Sequence, residues 1–100
     1  MTDPITAAQT TADLHTLPTG RLTRHDGAAH VFLDDINGLV QWLVATGGYT
    51  TCRPAGPGVV LWTLITHTEP RSDGTATPIL VHSLALAAEL VPDELTTAAA

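Results

Sequence analysis

The sequence predicts a small single α+β domain, with one amphipathic helix packed on an antiparallel sheet. Three observations predict it. An Asp-Gly dipeptide lies between two short strand-compatible runs at 21–33, and a capped helical stripe follows at 34–48. A β-branched run at 59–68 then carries apolar residues at both parities. The element order read from these signals is β-β-α-β-β-β, held in one domain over 14–95.

Taken in order, residues 1–13 hold Thr, Ala, Asp and Pro with no hydrophobic period, and 96–100 are equally featureless. Both ends are therefore expected to be flexible tails. In the first hairpin, Asp26-Gly27 supplies the two positive-φ residues that the favoured two-residue turn needs. The helix starts at Asp34 or Asp35 as N-cap, and Gly47-Gly48 ends it. Between them Ile36, Leu39, Val40, Leu43 and Val44 share one stripe, with Trp42 flanking it. Gly38 costs about 1 kcal/mol inside a helix relative to Ala, which points to close packing on a strand.

Tyr49 to Arg53 reads as a short strand, and Pro54-Ala55-Gly56-Pro57-Gly58 as a turn. Val59–Thr68 is the longest strand, and a turn region at 69–74 carries a second Asp-Gly. The segment from Thr75 to about Leu84 allows two readings. Thr77-Pro78 could open a helix with Leu80, Leu84 and Val91 on one face, but Asp73-Gly74 favours a hairpin return as a strand. A short C-terminal helical turn then runs through Leu90, before Pro92.

Composition narrows the function classes. The chain has 100 residues and a formal charge of −6, with 44% hydrophobic and 14% charged residues, too apolar for a disordered chain. Its four basic groups, Arg21, Arg24, Arg53 and Arg71, face ten carboxylates, which disfavours direct nucleic-acid binding. No basic leader with an apolar run and no membrane-length apolar stretch is visible, so a cytoplasmic protein without a membrane partner is expected. One cysteine, Cys52, excludes an intramolecular disulfide. Arginine without lysine, together with abundant Ala and Thr, suits a GC-rich bacterial genome.

Five histidines are the only chemical surplus. If Asp73-Gly74 closes a two-residue hairpin, His67 pairs with Leu80 and Ile65 with His82. His67 and His82 then lie diagonally on one face, where two imidazoles could hold a metal or pass a proton. No Cys-x-x-Cys or His-Glu-x-x-His spacing accompanies them, so no metal, cofactor or catalytic residue is assigned. Cys52 and its neighbour Arg53 point to opposite faces of a strand, and Asp34-Asp35 reads as helix capping. Pro-Ala-Gly-Pro-Gly precedes a strand and lacks the Lys of a phosphate loop.

One helix covers one sheet face, yet both faces of 59–68 are apolar, so the C-terminal segment, the first hairpin or a second subunit is expected to cover the other. The expectation is a small non-enzymatic interaction or regulatory protein of a bacterium or its mobile elements. It would act through a homodimer or a larger protein partner, using Val60, Trp62, Leu64 and Trp42. The alternative is a small metal- or ligand-dependent enzyme built on His67 and His82.

Overall fold

In the computed structural model, which describes residues 3–70, 72–87 and 91–99, eight elements follow one another. They are α1 (Pro4–His15), β1 (Arg21–His25), β2 (Ala28–Leu33), α2 (Ile36–Thr46), β3 (Tyr49–Gly56), β4 (Val59–His67), β5 (Pro78–Leu86) and α3 (Asp93–Thr97). The α+β class and the central β-β-α-β-β-β order are those the sequence predicts, with a helix added at each end.

The first turn forms as expected: Asp26 (φ 51°) and Gly27 (φ 78°) close β1 on β2, with His25 opposite Ala28. Asp35 caps α2 by accepting a hydrogen bond from Asn37 N at 2.9 Å, and Leu43 O accepts from Gly47 N at 2.8 Å. The buried sector of α2 centres on Leu39 and Trp42, and Trp42 Nε1 donates to Pro18 O at 2.8 Å. That bond anchors the indole inside, so Trp42 is core and not flank, while Val44 is 75% exposed and not on the stripe. Gly38 packs closely as expected, because a Cβ there would press on Leu33 and Pro18.

The expected tails are corrected where they are described. Residues 4–15 form α1, with Asp3 as N-cap and Pro4 in the first turn. Its buried face is Ala7, Ala8, Thr11 and Ala12, small residues that let the helix approach the sheet closely but leave no hydrophobic period to read. At the other end α3 buries Leu95 completely. Thr50 Oγ1 donates to Leu95 O at 2.7 Å, Thr50 N donates to Ala98 O at 2.9 Å, and Ala99 bridges Thr50. The helical turn expected between Leu84 and Leu90 is corrected at its start, because β5 continues as strand to Leu86, and its remainder at 88–90 lies outside the described residues, as do residues 1, 2, 71 and 100.

The sheet order is β1-β2-β5-β4-β3. Three ladders are antiparallel, but β2 and β5 pair in parallel, so the sheet is mixed and not wholly antiparallel. The chain returns to β2 only after α2 and the β3–β4 hairpin, and a long crossover of this kind permits parallel pairing. β3 also runs on through Pro54 to Gly56, where a turn was expected. It is an edge strand, and there a proline forfeits no ladder bond if its nitrogen faces outward. A register shift between Pro54 and Gly56 precedes the true turn at Pro57-Gly58.

Helices cover one side of this sheet. α1 packs on β1, β2 and β5, α2 packs on β2, β4 and β5, and α3 packs on α2. Between them lie Ala29, Val31, Leu64, Trp62, Ile79 and Val81, all buried. None of the described helices is long and apolar enough to cross a membrane.

Candidate functional site

Side chains alternate along a strand, so the register fixes the membership of both faces. Val60, Trp62 and Leu64 share the helix side with Ala85, Ser83 and Val81, their cross-strand partners on β5. Leu64 and Trp42 are fully buried, Trp62 nearly so, and Val60 packs against the same core. The residues expected to form an interaction surface are thus covered by the chain's own helices.

The opposite parity is open. Leu61, Thr63, Ile65 and His67 on β4 stand opposite Leu84, His82, Leu80 and Pro78 on β5. Phe32 and His30 on β2 continue the same face, followed by Arg21 and Thr23 on β1. Leu84 is 58% and Leu86 62% exposed, as hydrophobic side chains on a face without a helix should be. No Asp or Glu occurs in any of the five strands. The charged side chains of the open face are Arg21 on one edge strand and Arg53 on the other. The Arg21 guanidinium lies over the Phe32 ring, 4.6 Å from its centroid.

Three polar side chains meet at the middle of this face. His30 Nδ1 and His82 Nε2 are 2.9 Å apart, and His82 Nδ1 lies 3.0 Å from Thr63 Oγ1. Phe32 stacks on His82 at 4.9 Å between ring centroids, and the two imidazoles are nearly coplanar in orientation, 4° apart. Burial, reinforced by the neighbouring His30, holds the His82 imidazole below the ordinary histidine range. Such a chain can pass a proton from hydroxyl to imidazole to imidazole. His25 adds a third imidazole, its ring 6.1 Å from that of His30, but among the described residues no three His, Cys, Asp or Glu side chains are placed to hold a metal ion.

His67 and His82 share a face, as their parity predicts, but they do not meet. His82 stands opposite Thr63 and His67 opposite Pro78, roughly 13 Å apart along the strand direction. The register differs by two residues from that of a tight Asp73-Gly74 hairpin. The connection instead closes at its base, where Thr68 N donates to Thr77 O at 3.0 Å and Thr77 N donates to Thr68 Oγ1 at 3.0 Å. His30 was no candidate from sequence, because its partner lies 52 positions away across a parallel ladder that no local signal announces.

The other candidates lie apart. Cys52 is exposed on edge strand β3, and Arg53 projects to the opposite face. Asp35 is the cap of α2, as expected, and Asp34 is exposed beside it. His15 pairs with Glu69 at 2.6 Å, which ties α1 to the loop after β4 and lowers the Glu69 carboxyl. A shallow groove between α1 and α2 is lined by Ala12, Asp13, Leu17, Pro18 and Gln41, with no convergent reactive groups. No family model, curated protein or solved structure matches the chain.

Proposed function

We propose that this protein is a non-enzymatic interaction or regulatory protein of the bacterial cytoplasm, and that the open sheet face is its binding surface. One observation carries the reading: a five-stranded sheet has helices on one side and on the other an uncovered face, where Leu84 and Leu86 are exposed and the strands carry no carboxylate. Large hydrophobic side chains left exposed on an uncovered sheet face favour a binding role for it. The partner is a second copy or a larger protein, and no cofactor is needed.

The test is affinity purification from the native cell at two salt concentrations, using the wild type, Leu84→Arg on the open face and Val44→Arg on the exposed side of α2. The reading expects Leu84→Arg to lose the bound species and Val44→Arg to keep them. Retention by Leu84→Arg, or equal loss by both, overturns it.

A second reading is favoured by the Thr63–His82–His30 chain, which resembles a nucleophile, a base and an orienting group in sequence. Against it, the Thr63 hydroxyl belongs to a residue only 9% exposed, within a central strand whose amides are committed to ladders. Hydrolysis of activated esters that His82→Leu abolishes would support an enzyme. An interaction protein shows no such turnover.

A further inference from the structure

We propose that a second copy of this chain covers the open face, sheet against sheet about a two-fold axis near His82, and that protonating the His30–His82 pair separates the two copies. This rests on the interaction reading above and specifies both the partner and its control.

Size and composition support the occupant. The five strands hold 5, 6, 8, 9 and 9 residues, which at about 3.3 Å per residue and about 4.8 Å between strands give a face of roughly 590 Å². This projected area reaches the lower end of the roughly 600–1,000 Å² per partner that standard stable interfaces bury. The two arginines stand on the edge strands, so they can reach water at the rim while the middle closes. No strand carboxylate would be buried between the copies.

Position supports the axis. β5 is the middle strand of the sheet and His82 is the middle residue of β5. In an isologous dimer the centre of the patch meets its own copy. Two His30–His82 pairs would therefore approach each other at the centre of the interface.

The control follows from hydrogen-bond chemistry. A 2.9 Å contact between two imidazole nitrogens needs one N–H and one lone pair. Two protonated rings offer two N–H groups and no lone pair, so the observed geometry accepts at most one added proton. The groups facing the pair are Thr63 on β4, Phe32 on β2 and His25 on β1, whose ring lies 6.1 Å from that of His30. Arg21 and Arg53 stand on the two edges and His67 at the end of β4. The helices lie on the other side of the sheet. The Asp26 carboxylate in the β1–β2 turn lies 3.1 Å from His25 Nε2, the strands themselves supply no anion to balance charge on the pair, and a second sheet would remove the water that could.

The experiment is sedimentation velocity on the whole chain over a concentration series into the tens of micromolar, at about pH 8 and about pH 5, which bracket the ordinary histidine value. The expected result is twice the 10.5 kDa chain mass at the higher pH and the single-chain mass at the lower, with unchanged far-UV circular dichroism. Leu84→Arg should be monomeric at both pH values, and the double variant His30→Leu/His82→Leu dimeric at both. A wild-type monomer at the higher pH overturns the proposal, and so does a dimer that persists unchanged at the lower. Should the double variant fail to fold, the wild-type comparison decides alone. A monomeric wild type whose Leu84→Arg variant still loses a cellular partner refutes self-association but not the interaction reading.

Discussion

Leu64 and Leu84 lie on adjacent strands of the same sheet and differ only in the side to which they point. Leu64 is fully buried under the helices, cross-strand from Val81 and Thr50, while Leu84 is 58% exposed on the open face. Truncating Leu64 to Ala removes three buried carbons, about 2.4 kcal/mol of transfer free energy at ~0.8 kcal/mol per methylene. The cavity left behind adds to this, for a total of about 2–5 kcal/mol. In a chain of this size each kcal/mol lowers Tm by about 4–8 °C, so Leu64→Ala should lower Tm by about 10 °C or more. Leu84→Ala should stay within about 0.5 kcal/mol in the monomer, because its site is already wet. Urea melts followed by fluorescence suit the measurement, since Trp42 and Trp62 are both buried and report loss of the core. Runs at submicromolar and at tens of micromolar protein separate monomer stability from association, which adds a concentration-dependent cost to Leu84→Ala alone. Equal losses for the two variants in dilute protein, or a Leu64→Ala loss below about 1 kcal/mol, would refute the assignment of faces.

Three other outcomes are expected. Asp35→Ala should cost about 0.5–2 kcal/mol in a urea melt, because its carboxylate accepts from Asn37 N at the start of α2, whereas Asp34→Ala should cost far less. Gly48→Ala should destabilise more than Gly58→Ala, by more than about 1 kcal/mol in the same assay: both have positive φ, but only at Gly48 would a Cβ overlap a backbone oxygen, that of Ile65. Two side chains should make stability fall in acid. The hydrogen bond from His15 depresses the Glu69 carboxyl, so its contribution is present above about pH 4.5 and is lost as pH falls through the depressed value. His82 is held neutral by burial and His30, so its contribution is present above about pH 6.5 and is likewise lost below its lowered value. Urea midpoints across pH should therefore lose the upper step in His82→Leu and the lower step in Glu69→Gln, each variant keeping the other step.

The parts of the fold legible in the sequence are those whose cause lies within a few residues. Asp26-Gly27 specifies its own turn, and Asp35 with Gly47 delimits α2. The β-branched run at 59–68 announces a strand by its own composition, and β4 forms over Val59–His67. α1 leaves no hydrophobic period in the sequence because its buried face is made of Ala and Thr, which contribute shape more than hydrophobic contrast. Leu95 at the other end is one apolar residue without a repeat, and its burial depends on Thr50 holding its carbonyl from 45 positions away.

Sequence alone determined that β4 carries apolar residues at both parities and that one helix can cover only one of its faces. It did not determine which face the helices take, because alternation is uninformative where both parities are apolar. That choice arises from the packing of α1 and α2 together, and it sends Trp62 and Leu64 inward and leaves Leu61 and Leu84 outside. The same holds for the histidines. Parity placed His67 and His82 on one face, but which imidazole stands beside His82 depends on register and on the parallel β2–β5 ladder. Both are settled by the total burial of the sheet, a sum over the whole chain that no local run of residues contains.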